Sequence, residues 1–157
     1  MAITQAMTTS FKAEIMLAVH DFRNTGGDTF KLALYTSSAS IDANSTTYTT
    51  SNEVTGTNYT AGGGTLVNGG VTASNNSSSA GTGFTTFSNL TFSNATITAR
   101  GAMIYNTTPS ANGTANTTLT NASVAVLDFG SDKTSTDGDF TIIFPAATNS
   151  TAIIRIA

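Results

Sequence analysis

The side chains able to do chemistry are few and scattered. The chain has one His and no Cys or Trp, with nine acidic residues against six Lys and Arg. His20 stands beside Asp21, the composition of a general base and its orienter. Adjacent helical positions point about 100° apart, so the two do not share a face. None of the many serines sits in a Gly-x-Ser-x-Gly elbow. His20 is therefore read as a structural or surface residue. A glycosidase needs two placed carboxylates, and nothing in the spacing of the acids singles out a pair.

Asp128, Asp132, Asp137 and Asp139 are the densest acidic group. Calcium takes oxygen ligands, and an Asp-rich loop can supply them. The spacing is not that of an EF-hand, Lys133 interrupts it, and Asp, Ser and Gly are also what turns require. The expectation is turn chemistry, with a weak cation site as the competing reading. Asp128-Phe129-Gly130 spells the kinase magnesium motif, but the glycine loop, strand lysine and catalytic loop of a kinase are missing. Gly62-Gly63-Gly64 has no following lysine and no helix to hold a phosphate. Arg100 and Arg155 interrupt apolar strands and are expected on the solvent face or paired with a strand-end acid such as Asp128. No residue is assigned a catalytic, cofactor-binding or metal-binding role, and no cofactor is expected.

Composition explains this poverty. Of 157 residues, 63 are Thr, Ser or Asn, and only 10% are charged, against roughly 25% in an average domain. The net charge is −3. Nucleic-acid binding is set aside because the six basic residues form no stripe to neutralise phosphates. No apolar run approaches a membrane span. The N-terminus has neither the basic start nor the apolar core of a signal peptide, so synthesis in the cytoplasm is expected. Eleven Asn-x-Ser/Thr triplets follow from the abundance of Asn and Thr. Thr-x-Thr pairs such as Thr47/Thr49 and Thr96/Thr98 lack the regular spacing of an ice-binding array. A neutral hydroxyl and amide surface repels its own copies weakly, which suits a protein made for assembly.

One domain spanning 1–157 is expected, divided into a helix over 10–23 and a β-rich body over 28–157 with long Thr/Asn/Gly loops. Phe11, Ile15, Ala18 and Phe22 recur at helical period, Ser10 can cap the start, and Gly26-Gly27 can close the end. From Asp28 the period becomes two, with Phe30, Leu32 and Leu34 alternating against Lys31 and Ala33. Residues 37–63 are polar, and short strands or an edge arm are expected at 46–50 and 53–59. Residues 65–72 read as a broken strand or tight hairpin, and 73–83 as a loop. Phe84 to Phe92 reads as a strand with a bulge, because Phe84 and Phe87 are three apart. Gly101, inside the strand 95–105, marks a bulge or a close approach. Residues 106–121 form a loop. Strands are expected at 123–129, 139–144 and 152–156, the first two joined as a hairpin through a turn at 132–138. About seven to nine strands make an all-β fold, a sandwich or jelly-roll-like barrel with one N-terminal amphipathic helix.

The stretches GDTFKLALYT, TITARGAMIYN, VAVLDFGSDKTSTDGDFTIIFP and AIIRIA, in that order, resemble a family of small Thr-rich proteins of tailed bacteriophages. With the N-terminal helix they cover about half of the chain, and none is a catalytic motif. The resemblance implies a non-enzymatic virion structural protein. Its size points to capsid decoration (cement) on the exterior of the head. The implied partners are the major capsid protein lattice and further copies of the chain as a homo-oligomer, with no small-molecule substrate, nucleic acid or membrane. A fibre- or tail-associated module whose Thr/Asn loops bind a receptor glycan is the alternative.

Overall fold

The structure, a computed structural model, describes residues 2–76, 79–111, 114–115 and 118–157. For 75, 76, 79, 80, 111, 114 and 115 only the backbone is described. One helix, α1 (Thr9–Met16), follows a two-residue strand, β1 (Ala6–Met7). Then come β2 (Phe30–Tyr35), β3 (Gly64–Thr65), β4 (Asn68–Asn76), β5 (Ser79–Phe87) and β6 (Leu90–Asn106). The chain closes with β7 (Ser110–Ala111), β8 (Thr114–Ala115), β9 (Ala122–Ile142) and β10 (Ile154–Ile156). A five-stranded sheet in the order β1-β9-β6-β2-β3 faces a three-stranded sheet in the order β10-β5-β4, and β7 and β8 pair by themselves. All pairings are antiparallel. The fold is all-β, a sandwich with an N-terminal helix, as the sequence predicts.

The helix is shorter than its periodicity suggests. Thr8, not Ser10, is the cap: its Oγ1 accepts from Phe11 N at 3.4 Å and donates to the Ser123 carbonyl at 3.1 Å. Cap and sheet are thus joined through one buried hydroxyl. The helix stops at Met16, and Ala18 takes φ +56°. No Gly or Pro marks this point. The stop is tertiary, because Val19, His20 and Phe22 leave the helix path to be buried against the sheet. Phe22 stacks on Phe30 at 4.4 Å, and Phe11 meets Phe22 edge-on at 6.0 Å. Of the expected face, Phe11 and Phe22 are buried, Ile15 is half-buried and Ala18 is exposed.

β6 and β9 form one long ribbon, from Leu90↔Ile142 at one end to Asn106↔Ala122 at the other. This corrects the expected hairpin through 132–138: the residues on either side of it belong to one continuous strand. Left-handed residues within and just before it serve bulges. Asp137 has φ +49° and Gly130 φ +75°. Residues 129–132 arch out between the pairs Ala99↔Lys133 and Gly101↔Asp128. Likewise residues 73–76 and 79–83 are not loop but the paired arms of β4 and β5, from Ala73↔Gly83 to Asn76↔Ser79, and the remainder of the expected 73–83 loop lies outside the described residues. The expected Phe84–Phe92 strand is split between β5 and β6. The segments 46–50 and 53–59 form an arm held by isolated bridges, Thr47↔Ala122, Tyr35↔Glu53 and Thr57↔Thr96.

Gly101 serves both as a bulge and as a close approach. A Cβ there would lie 2.4 Å from Leu127 O and 2.9 Å from Ile3. The register shift beside it also changes the parity of β6. Ala95, Ile97 and Ala99 face the inter-sheet core before it, and Ala102 and Ile104 do so after it. That core joins Phe30, Leu32 and Leu34 of β2 to Phe87, Ile154 and Phe11. The opposite face of the same sheet is buried as well. Ala33, Tyr35, Met103, Tyr105 and Val126 pack there with Ile3, Ala39 and Ile41 from the covering chain. β2 is therefore buried on both faces along most of its length, where its alternation with Lys31 predicts only one. Full burial of each large apolar side chain contributes roughly 1.5–3 kcal/mol.

Candidate functional site

His20 and Asp21 do not form a dyad. The His20 side chain is fully buried, and its Nε2 lies 2.7 Å from Glu14 Oε2. Its Nδ1 lies 3.0 Å from Asn106 Nδ2, and the same amide nitrogen lies 2.7 Å from Asp28 Oδ2. Asp28 Oδ1 accepts from Ser110 Oγ at 2.8 Å, and Asp28 Oδ2 from Asp21 N at 2.9 Å. Asn106 Oδ1 accepts from Thr108 N at 3.0 Å. The network joins the end of α1, the 17–29 segment and the last residue of β6. Burial lowers the His20 pKa, opposed by the Glu14 and Asp28 carboxylates. Asp21 turns instead to Arg23, which it grips through the guanidinium at 2.5 Å, and this holds its carboxyl below the usual range.

A cleft of about 660 Å³ opens beside this network. Ile15, Phe22 and Ser110 lie on its wall, together with Val71, Phe84 and Ile156 of the three-stranded sheet. Its lining is mostly apolar, with Thr85 and Arg23 beside the network's edge. Ser110 donates to a carboxylate, not to an imidazole, and both His20 ring nitrogens are engaged. The arrangement therefore pairs no nucleophile with a free base; it ties chain segments together.

A second buried carboxylate gathers all four tyrosines of the chain in or near its shell. Glu53 accepts from Tyr48 at 2.6 Å through Oε2, and from Tyr59 and Gly62 N at 2.7 Å through Oε1. Tyr59 also accepts from Leu34 N at 2.8 Å, and Tyr105 donates to Gly62 O at 2.7 Å. Tyr48 stacks on Tyr105 at 4.6 Å, and Tyr35 donates to Thr49 O at 2.6 Å. Burial first, and the Glu53 charge after it, pushes the Tyr105 phenol up to about 12 and raises Tyr48 and Tyr59 too. Tyr35 is raised in the same way. Gly62 and Gly63 form a turn against β2, where a Cβ on Gly63 would meet Leu32 O at 1.8 Å. The glycine run is a docking turn, not an anion cradle.

The four C-terminal aspartates do not converge. Asp128 Oδ1 accepts from Gly130 N and Arg100 Nε, which lowers its pKa. Arg100 thus meets the strand-end acid that the sequence suggests, whereas Arg155 is exposed and donates to Asn149 O. Asp137 pairs with Thr96, Asp139 accepts from Asn94 N, and Asp132 is exposed. Each engaged acid caps a bulge. Among the described residues no group of three His, Cys, Asp or Glu side chains is placed to hold a metal ion. On the exposed face of the ribbon, Thr91 bonds Thr141 and Thr98 bonds Thr134 across the strands, at 2.9 and 2.8 Å. Their hydroxyls satisfy one another.

Asn106, Asp28 and Glu53 carry these networks, and sequence reading missed all three. Asn106 and Asp28 are 78 residues apart. No family model, curated protein or solved structure matches this chain. Among the described residues no helix is long and apolar enough to cross a membrane.

Proposed function

We propose that this is a virion structural protein of a tailed bacteriophage, acting without catalysis as a capsid decoration (cement) protein. It binds the major capsid protein lattice as a homo-oligomer, on the exterior of the head. The observation that carries the reading is the surface. Met16, Leu17, Val67, Val71, Ile143 and Ile156 are all more than half exposed, on a chain with only 10% charged residues. Apolar contacts of this kind are not screened by salt, whereas exposed ion pairs are. Many modest contacts on a repeated lattice add by avidity. The stretches that carry the bacteriophage resemblance include β2, β10 and most of the β6–β9 ribbon, so the resemblance concerns a scaffold rather than a reactive site.

The test is binding to capsids that lack the protein. Saturation in proportion to the number of lattice positions is expected, with only slight weakening as salt rises to physiological strength, where the Debye length is about 8 Å. Decorated particles should resist heating better than bare ones, because binding to the assembled state alone stabilises it. Saturation at a handful of copies on the tail or one vertex would overturn the reading in favour of a fibre- or tail-associated glycan-binding module.

A further inference from the structure

We infer that His20 is a proton-operated latch: a proton on Nδ1 breaks its contact with Asn106 and frees α1 and the 17–29 segment from the sandwich, opening the cleft that they wall. The Asn106 amide fixes the tautomer of the ring. Its Nδ2 faces the Asp28 carboxylate at 2.7 Å, and its Oδ1 faces Thr108 N–H at 3.0 Å. An amide has two donor protons on nitrogen and acceptor lone pairs on oxygen. Only this orientation satisfies both neighbours. Asn106 Nδ2 therefore donates one proton to Asp28 and the other to His20 Nδ1, at 3.0 Å. His20 Nδ1 is an acceptor, and the single ring proton sits on Nε2 facing Glu14 at 2.7 Å.

Protonation puts an N–H on Nδ1 directly against an NH₂ group. Turning the amide over would place its oxygen against Asp28 and its nitrogen against Thr108 N–H, replacing two hydrogen bonds with two repulsions. Swinging the ring away would break the Glu14 contact and disturb Phe11 and Phe30, whose rings lie 5.0 and 6.4 Å from it. Each relief breaks a tie between α1, the 17–29 segment and β6. The charged groups acting on the ring are Glu14 of α1 and Asp28 ahead of β2, both favouring protonation, while burial opposes it. β6 presents the neutral Asn106. Arg23 of the 17–29 segment is turned to Asp21. The device is specific to an imidazole, because no other common side chain gains a donor near neutral pH.

The chain has a single His, so its nitrogen and carbon NMR signals need no assignment by mutation. In the full-length protein near neutral pH, the imidazole should be the Nε2–H tautomer. On acidification from about pH 7.5 to 5, a range above ordinary carboxylate titration, the amides of α1 should lose hydrogen-exchange protection. The loss should reach about tenfold per pH unit below about 6.5. Amides at the centre of β2 and β6 should keep theirs. His20→Gln, which can accept from Asn106 and donate to Glu14 without titrating, should hold α1 protection constant over the same range. An Nδ1–H tautomer, α1 protection that survives protonation of His20, or acid opening that persists in His20→Gln would each overturn the latch. The two measurements on the unaltered protein decide the matter even if the variant does not fold.

Discussion

Glu53 and Glu14 are both buried carboxylates that tie outlying chain to the five-stranded sheet, yet their partners differ in kind. Glu53 holds the 36–63 arm through tyrosine hydroxyls and a backbone N–H. Glu14 holds the end of α1 through an imidazole. A phenol is neutral and donating across the whole physiological range; an imidazole changes its donors within it. One tie is therefore permanent and the other conditional. The difference extends to the backbone. The arm turns through Asn52, Asn58, Gly62 and Gly63 at positive φ, whereas the helix end turns through Ala18. The permanent tie uses residues suited to the left-handed region, and the conditional one is strained.

The largest expected effect comes from removing the aromatic stack beneath the conditional tie. Phe22→Ala should cost about 3–5 kcal/mol in chemical denaturation, as large-to-small changes in packed cores do. Phe11→Ala should fall in the same range. A variant lacking residues 1–24 that stays fully stable and assembly-competent would show that the helix is dispensable and that only the arm matters. Glu53→Ala should cost somewhat less, about 3 kcal/mol, because it strands two phenols and a backbone N–H that water reaches poorly. A cost no larger than that of an exposed substitution would remove the arm's carboxylate from the comparison.

The pH dependences sharpen the contrast. Folding raises the tyrosine pKa values above their unfolded value of about 10, so their contribution is whole below that pH and is lost as pH rises beyond it. Folding lowers the His20 pKa below its unfolded value of about 6.5, so that contribution is whole above this pH and is lost as pH falls through it. In an alkaline titration, tyrosinate absorbance should therefore stay flat through about pH 10 and then rise together with the loss of β-sheet circular dichroism. Ionisation of even one tyrosine near pH 10 in the folded protein would show that its ring is not part of the tie.

The existence of the β2 strand and the close approach at Gly101 were legible because each depends on neighbours in sequence or on one residue's geometry; Arg100 and Asp128, 28 residues apart, meet only because β6 and β9 pair. The two ties were not legible. Glu14, Asp28 and Asn106 meet only after β2 and β6 pair, and a lone Asn at a strand end carries no signal of its own. The Asp132–Gly138 stretch misled for a related reason. Asp and Gly favour left-handed backbone whether the chain reverses or merely bulges, and only the facing strand decides which. The helix was extended too far because apolar period continues through Phe22 while burial of His20 and Phe22 takes the backbone off the helix path.

The smallest effect isolates the backbone half of the comparison. Ala18 is exposed at φ +56°, a region that costs an L-residue roughly 1–2 kcal/mol and glycine almost nothing. Ala18→Gly should relieve that strain. Greater freedom of the unfolded chain takes back about 0.4–1 kcal/mol. A net gain of about 0.5–1 kcal/mol remains, a rise in melting temperature of about 2–4 °C per kcal/mol for a chain of this size. The matched change in the arm is Asn52→Gly, at φ +58°. Asparagine already tolerates this region, so the relief is smaller and the melting temperature should stay level or fall. A rise in Ala18→Gly without one in Asn52→Gly places the strain at the helix end alone. Equal responses would mean that the two regions differ only in their side-chain partners, and that the conditional character of the α1 tie rests on His20 by itself.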